Sequence, residues 1–413
     1  MTLEEKHSNQ IRMDVAACLE WHSLPKKFYS SDLFYQADLK RIWHQNWLFV
    51  GLSCEIPEPG DYFTLKVGDD PLIVIRDDDN LIKAFHNICR HRGTMLCNEL
   101  AGSLKQIVCP YHQWVYNKTG KLLSCKGMQK EINSKNLGLL PIATEDLAGL
   151  IYLNLAEQPK DFNQARTKME QMLRPQGINR SRIAKAVNYN VKANWKLIWE
   201  NNRECYHCNI NHPQYIKANY DHYNNDDTPD RLTAKIKAKS KQSEENWGEQ
   251  GLEITHQNSG MSIFPSSGND GWFSINRTLL SDGYVSETMD GKQVAPLMGD
   301  YKDNSVGTLR LRSVPNMWCH ASCDHTVLSR LIPIDKTTTE VRVIWLVDEK
   351  AEEGKDYELE KLIPFWQLTS EQDWNLCESA QLGINSSAYQ PGPYSRNKEY
   401  NVERFVRWYL KEL

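Results

Sequence analysis

Two short loops constrain this chain more than any other feature. One is ICRHRG at residues 88–93 and the other is CPYHQW at residues 109–114. Each supplies one cysteine and one histidine, Cys89 with His91 and Cys109 with His112, and seventeen residues separate His91 from Cys109. Around them run DYFTLKV, PLIVIRD, LIKAFHNI, KQIVCPY, WVYN and GLIYLNL, short β-rich stretches broken by Gly, Pro, Asn and Asp. This texture predicts a compact all-β domain with each Cys/His pair at a hairpin tip. Two such tips facing each other can hold a [2Fe–2S] cluster, with both cysteines on one iron and both histidines on the other. Imidazole is neutral where thiolate is negative, so the histidine-ligated iron is the easier one to reduce. Gly93 and Pro110 suit tight loops whose N–H groups reach cluster sulfurs. The competing reading is a Cys2His2 zinc site. Zinc ligands usually come as a cysteine pair and a histidine pair rather than one of each per loop.

A second cluster lies at ENNRECYHCNINHP, residues 200–213. Its most visible pattern is Cys205-x-x-Cys208. The spacing predicts a helix through WKLIWENNRECYHCN that stops at or before Pro213. Glu204 and His207 would then share one face. His207 and His212, with one distant carboxylate, form the donor set of a two-histidine, one-carboxylate iron site that leaves positions open for dioxygen and substrate. A zinc site built from Cys205, Cys208, Cys319 and Cys323 is the alternative. It would leave two histidines and a glutamate idle and give an electron-transfer cluster nothing to reduce. Asp324, Asp373 and Glu378 are the candidates for the carboxylate, and the residues alone do not choose among them.

The rest of the chain supplies a frame. Residues 24–50 read as a helix capped by Ser30 or Ser31, and 160–180 as a helix and linker. AKAVNYNV reads as a strand, and TLRLRSV, NMWCH, TVLSRLIPI and EVRVIWLV as one antiparallel sheet. DYELEKLIPFWQLTSEQDWNLCESAQ is expected as a long helix bent at Pro364, and NVERFVRWYLKEL as a closing helix. Residues 215–310 are polar and predict long loops, including the basic run KIKAKSKQ at 235–242 and the acids after it. The 413 residues allow two or three domains. We expect a helical lead-in over 1–45, a cluster domain over 46–160 and a catalytic domain over 161–413. The fold class is α+β: an all-β domain, then an antiparallel sheet flanked by helices. Net charge is −4 with interspersed signs, which argues against a nucleic-acid partner. No apolar run approaches the ~18–20 residues that cross a bilayer. MTLEEKHSNQ lacks the apolar core of a signal peptide, so no membrane role and a cytoplasmic location are expected. The eleven cysteines, odd in number and scattered, are expected as thiols or metal ligands rather than a disulfide framework.

CRHRG…CPYHQW resembles the Rieske domain of ring-hydroxylating and related non-haem iron oxygenases. Tyr111 stands where respiratory Rieske proteins carry a disulfide cysteine, and Cys97 and Cys125 fall elsewhere, as in the oxygenase type. QDWNLCESAQLG is similar to the late-helix run that carries the family's aspartate ligand, which selects Asp373. An acid three residues before the first iron histidine, here Glu204, is the family's bridge between that histidine and a cluster histidine of the neighbouring subunit, matching His112.

The resemblance spans nearly the whole chain. It is strongest to monooxygenases that demethylate glycine betaine and stachydrine, through NWKLIWENNRECYHC, SETMDGKQVAPLMGD, EQDWNLCESAQLGINSSAYQPGPYS and FVRWYL. It implies a helix-grip (START-like) catalytic domain, a Rieske [2Fe–2S] cluster, mononuclear Fe(II), a quaternary ammonium substrate and O2, and a homotrimer. No nucleotide fingerprint is present, so it also implies a separate NAD(P)H-dependent flavin/[2Fe–2S] reductase. Choline or carnitine monooxygenase and aromatic-ring dioxygenase are the alternatives. A trimethylammonium group donates no hydrogen bond and is recognised by aromatic faces. Trp199, Tyr206, Trp272 and Phe273 are the candidates for that role, and Arg277 is the candidate for a betaine carboxylate.

Overall fold

The computed structural model describes residues 2–128, 130–133, 136–220, 229–253 and 272–413. The chain divides into two compact units: Trp43–Lys160, and Met1–Ile42 together with Asp161–Leu413. The N-terminal segment, expected as a separate lead-in, therefore packs as part of the second unit.

The first unit is all β. Its strands are β1 (Leu48–Leu52), β2 (Asp61–Val67), β3 (Asp70–Arg76), β4 (Ile82–His86), β5 (Ala101–Ser103), β6 (Ile107–Val108), β7 (Val115–Tyr116), β8 (Leu122–Ser124), β9 (Pro141–Leu147) and β10 (Leu150–Asn154). Seven of them form a sheet in the order β1-β10-β9-β4-β3-β2-β5, and β6-β7-β8 form a second sheet. Strand β1 begins inside the stretch read as helix. LFVGL has five buried residues in succession, and its pairing with β10 decides its conformation over local propensity. Ile73, Ile75, Phe85, Ile107, Trp114, Tyr116 and Leu122 share one apolar core with Cys89 and Cys109. Both cluster loops thus grow out of one packed base. The two ends of this unit meet: Trp47 Nε1 donates to the Lys160 carbonyl at 2.8 Å, and Lys160 Nζ donates to Asn46 Oδ1 at 3.0 Å.

The second unit contains α1 (Leu3–Ala16), α2 (Lys26–Ser30), α3 (Asp32–Asp38), α4 (Asn163–Leu173), α5 (Trp195–Asn202), α6 (Cys208–Asn211), α7 (Pro213–Ala218), α8 (Asp230–Glu249), α9 (Leu359–Leu362), α10 (Pro364–Asn385) and α11 (Tyr400–Glu412). Its strands are β11 (Ser181–Val191), β12 (Phe273–Thr278), β13 (Thr308–Ser313), β14 (Met317–Ala321), β15 (Thr326–Asp335) and β16 (Thr338–Asp348), antiparallel in the order β11-β16-β15-β14-β13-β12. Ser31, not Ser30, is the cap of α3, accepting from the Phe34 N–H. Pro364 does not bend a helix but begins one, at the position where its missing N–H costs nothing. The basic run expected as loop lies on α8, whose polar surface hides the pattern. Only Ile236, Ser240 and Trp247 are buried there, and Lys235 and Lys239 pair with Asp282. Residues 221–228 and 254–271 of the expected loop region lie outside the described residues.

Two features position the site. TLRLRS alternates in polarity, which reads as a half-exposed strand, yet Arg310 and Arg312 are 1% and 3% exposed. Their face of the sheet, shared with Trp318 and His320 by cross-strand register, is covered by α5 and α10. Trp318 meets Trp199 and Trp374, and His320 meets Trp366. Helices α5, α3 and α11 are joined by the buried carboxylate of Asp38. It accepts from Lys196 Nζ, from Trp195 Nε1 at 2.9 Å and from Tyr409 Oη at 2.8 Å.

Candidate metal centres

The two cluster loops are built alike. In the first, the Cys89 N–H donates to the Thr94 carbonyl and the Gly93 N–H returns to the Cys89 carbonyl, with Gly93 at φ +73°. In the second, the Cys109 N–H donates to the Trp114 carbonyl and the Gln113 N–H returns to the Cys109 carbonyl, with Gln113 at φ +59°. The left-handed residue in each closes a tight turn that throws Cys and His toward one point. Cys89 and Cys109 are buried, and the His91 and His112 rings lie 4.6 Å apart. His91 stacks on Trp114 at 5.0 Å and Tyr111 lies 3.7 Å from His112. Tyr116 Oη sits 3.4 Å from Cys89 Sγ and accepts from the Arg90 N–H. Burial pushes the Cys109 thiol up, and the N–H groups of Tyr111 and His112 oppose it. These residues fit a cluster. His91 Nδ1 is buried with no hydrogen-bond partner among the described residues, which is costly for an imidazole nitrogen unless it ligates a metal. Cys97 and Cys125 are free thiols, so no disulfide joins the loops.

The second centre departs from the helix expected across residues 195–209. Helix α5, capped by Asn194, ends at Asn202. A turn carries Glu204, His207 precedes the single turn of α6, and Pro213 opens α7 after His212. Glu204 and His207 meet through this turn rather than along a helix face. Glu204 Oε2 accepts from the Tyr206 and His207 N–H groups, and Glu204 Oε1 lies 2.5 Å from His207 Nδ1. His212 Nδ1 lies 2.8 Å from Gln372 Oε1. With each Nδ1 beside an oxygen, each Nε2 is the ring nitrogen turned inward. His207 Nε2 and His212 Nε2 are 3.1 Å apart, and Asp373 Oδ1 on α10 lies 3.2 Å and 2.9 Å from them. Three donor atoms of two distant segments thus converge within one coordination sphere. Burial pushes the Asp373 carboxyl up, but the two imidazoles outweigh it and hold it low. Burial pulls His207 down, and Asp373 and Glu204 outweigh that, raising it to about 10. This oxygen-and-imidazole set fits Fe(II) with an open face.

Asp324 is elsewhere. It is fully buried, accepting from Ser286 Oγ at 2.7 Å and the Val294 N–H at 2.6 Å, beside His325 Nδ1 at 2.8 Å. It pins the SETMDG loop. Glu378 faces a different groove and accepts from the Lys192 N–H. Cys205 and Cys208 are joined to each other as a disulfide, against the expectation of thiols, while Cys319 and Cys323 stay free. The four-cysteine zinc arrangement is therefore not formed.

A cavity opens beside the three donors. Besides them it is lined by Asn201, Asn202, Glu204, Cys205, Cys208, Tyr215, Arg312, His320, Trp366 and Thr369. The aromatic and basic residues proposed from sequence do not line it. Trp199 is core, donating to the Pro315 carbonyl and stacked on Phe405. Tyr206 is 57% exposed under Lys398. Trp272 packs on Phe273 and on Phe162. Arg277 donates to the Val306 carbonyl and Tyr301 Oη. The residues missed, Gln372, Tyr215, Arg312, His320 and Trp366, carry no local signature. Only Gln372, adjacent to Asp373, was within reach of sequence reasoning.

Comparison with known proteins agrees with these two centres. The Rieske [2Fe-2S] domain family matches residues 46–141, and the ring hydroxylating alpha subunit (catalytic domain) family matches residues 178–413. The glycine betaine monooxygenase oxygenase subunit of Chromohalobacter salexigens is 39% identical over 94% of this chain and 85% of its own length. That of Pseudomonas aeruginosa is 37% identical over 95% and 89%. Among solved structures, a quaternary ammonium Rieske monooxygenase in complex with L-carnitine aligns with a TM-score of 0.68 at 20% identity, over 96% of this chain and 97% of that one. Naphthalene 1,2-dioxygenase with indole bound aligns with a TM-score of 0.63 at 21% identity, over 95% and 93%. A Rieske domain joined to a mononuclear iron domain defines the class, an oxidoreductase that uses O2. This chain belongs to the Rieske non-haem iron oxygenases, as a ring-hydroxylating-type alpha subunit carrying a Rieske [2Fe–2S] cluster and a mononuclear iron. Among the described residues, no helix is long and apolar enough to cross a membrane.

Proposed function

We propose that this chain is the oxygenase component of a two-component monooxygenase that oxidises an N-methyl group of a quaternary ammonium compound of the glycine betaine or proline betaine type. In this reading Cys89, His91, Cys109 and His112 hold the cluster, and His207, His212 and Asp373 hold the iron. The observation that carries the oxygenase reading is the convergence of His207 Nε2, His212 Nε2 and Asp373 Oδ1 at the mouth of a cavity. The two glycine betaine monooxygenase relatives support the substrate class.

The iron supplies dioxygen activation, and the cluster supplies electrons one at a time. The protein's own residues prepare the site. Glu204 and Gln372 fix the Nδ1 side of each imidazole, and Trp366 and Tyr215 keep one wall of the cavity apolar. One oxygen atom of O2 enters a methyl C–H bond, and the other leaves as water with two electrons and two protons. The electrons come from a separate NAD(P)H-dependent flavin/[2Fe–2S] reductase. The hydroxymethyl ammonium then loses its hydroxyl proton, the C–N bond breaks with its pair going to nitrogen, and formaldehyde leaves. We propose a homotrimer, with Glu204 linking His207 to the cluster of the neighbouring chain.

The test is formaldehyde release from glycine betaine, proline betaine, choline and carnitine, with NAD(P)H and a generic reductase. Formaldehyde in step with substrate loss is expected for a betaine. None above the reductase-only background from all four would end the demethylase reading and leave the family membership standing.

A further inference from the structure

The geometry points to a second use of the iron pocket: when the Cys205–Cys208 bond is reduced, the Cys208 sulfur joins His207 and His212 as a thiolate ligand and turns the site toward zinc. As a disulfide, the pair keeps sulfur off the metal and reserves the site for iron. This rests on His207, His212 and Asp373 as the iron ligands proposed above, and it adds a redox control over which metal they take.

An oxygen-and-imidazole iron site has no use for sulfur, yet sulfur stands at this one. The ligand atoms of His207, Cys208 and His212 all lie within 4.8 Å of one another. Cys205 and Cys208 both line the cavity beside the histidines and Asp373. Donors around one tetrahedral zinc sit about 3.5 Å apart, so a side chain freed from its S–S bond has about 1 Å to close. One thiolate, two imidazoles and a carboxylate suit zinc, a borderline-soft ion, whereas imidazole and oxygen alone suit Fe(II). Opening the disulfide therefore changes the donor set around unchanged histidines.

A structural staple is the competing explanation, and three observations oppose it. The bridge joins residues only three apart, and short loops restrain the unfolded chain least. The turn is already tied without it. The Cys208 N–H donates to the Cys205 carbonyl at 3.3 Å, and Glu204 Oε2 accepts from the Tyr206 and His207 N–H groups. The other cysteines are free thiols, so the chain does not otherwise rely on disulfides. Exposure gives the exchange a direction. Cys205 is half-buried beside Tyr206, which is 57% exposed, while Cys208 is 5% exposed. An external dithiol attacks the Cys205 sulfur as a thiolate, and the S–S bond breaks with its electron pair going to Cys208. The donor's second sulfur then displaces Cys205. The donor leaves as a disulfide, oxidised by two electrons, and its two protons end on Cys205 and Cys208. Zinc displaces the Cys208 proton to solvent.

Metal competition and zinc-edge X-ray absorption on the full-length chain test this without turnover. The chain keeps its cluster, is stripped of mononuclear metal by a chelator, and is loaded either as the disulfide or after dithiothreitol reduction and anaerobic desalting. Reduction should raise the preference for zinc over Fe(II) about 10-fold or more and place one sulfur at about 2.3 Å from zinc. Cys205→Ser, which leaves Cys208 a permanent thiol, should show that sulfur without reduction. Cys208→Ser should never show it. A zinc shell of nitrogen and oxygen alone in reduced wild type overturns the proposal, as does a metal preference that reduction leaves unchanged. Sulfur that persists in reduced Cys208→Ser comes from elsewhere and overturns it too. If the variants do not fold, the two wild-type states decide alone. A chain that takes up Fe(II) as the disulfide but never shows sulfur on zinc rejects the switch only. A chain that binds neither metal in either state rejects the iron-ligand reading beneath it.

Discussion

Glu204 engages three groups with one carboxylate. One oxygen caps the turn that replaces the expected helix, accepting from the N–H groups of Tyr206 and His207. The other holds His207 Nδ1 at 2.5 Å. A glutamine keeps the shape and one acceptor oxygen but removes the charge that makes the imidazole a strong donor. Outer partners of metal ligands are typically worth about 10- to 100-fold in affinity or activity. We expect Glu204→Gln to retain iron and sulfide, and to slow oxidation of the reduced cluster by O2 and substrate by about 10-fold or more in stopped-flow measurements. Wild-type reoxidation rates would remove the bridging role. The proposed metal ligands stand out as residues because Cys-x-His, Cys-x-x-His and His-x4-His are spacings that chemistry constrains. Asp373 does not, since 160 residues separate it from His212 and nothing local distinguishes it from Asp324 or Glu378. It emerged only through resemblance of the surrounding run.

At the scale of elements, the antiparallel sheet was readable because β15 and β16 are long runs rich in Val, Ile and Thr, while other elements were read wrongly for physical reasons. The helix across residues 195–209 breaks at Asn202, where periodicity continues but the Cys205–Cys208 bond and the Glu204 turn take over. Helix α8 escaped because so few of its residues are buried. The cavity escaped because Arg312, His320 and Trp366 belong to a strand face and a helix face that meet only in three dimensions. The joint among α3, α5 and α11 shows what such meetings cost and stabilise. Asp38 and Lys196 are both fully buried, and burial pushes the carboxyl up and the ammonium down. Asp38→Ala would strand the Lys196 charge, with Trp195 and Tyr409 also losing an acceptor. Removing one partner of a buried pair costs about 3–5 kcal/mol. An unfolding free energy for the second unit, from urea titration, that falls by less than half that amount would show the pair to be dispensable.

For the whole molecule, the division of labour follows chain topology. The all-β unit is contiguous, Trp43–Lys160, whereas the other is assembled from Met1–Ile42 and Asp161–Leu413. Each carries its own core and its own proposed metal ligands, so the two cofactors should be separable by chemistry. The intact protein should contain about three irons and about two inorganic sulfides per chain. A chain in which residues 43–160 are replaced by a short Gly/Ser linker should fold cooperatively, retain about one iron, contain no sulfide and lack the brown colour. A shortened chain that binds no iron would show that the second unit depends on the first.

That shortened chain is reasonable because Lys160 touches Asn46 and Trp47, which brings the entry and exit of the inserted unit to one point. In the language of modules, the cluster unit is a cassette whose two splice points in the chain lie side by side. A graft of residues 43–160 would preserve the spacing of those two splice points. Exchange between relatives can then alter the electron supply while keeping the substrate, or the reverse. Adjacent splice points would let redox tuning and substrate choice be exchanged as separate stretches of one polypeptide.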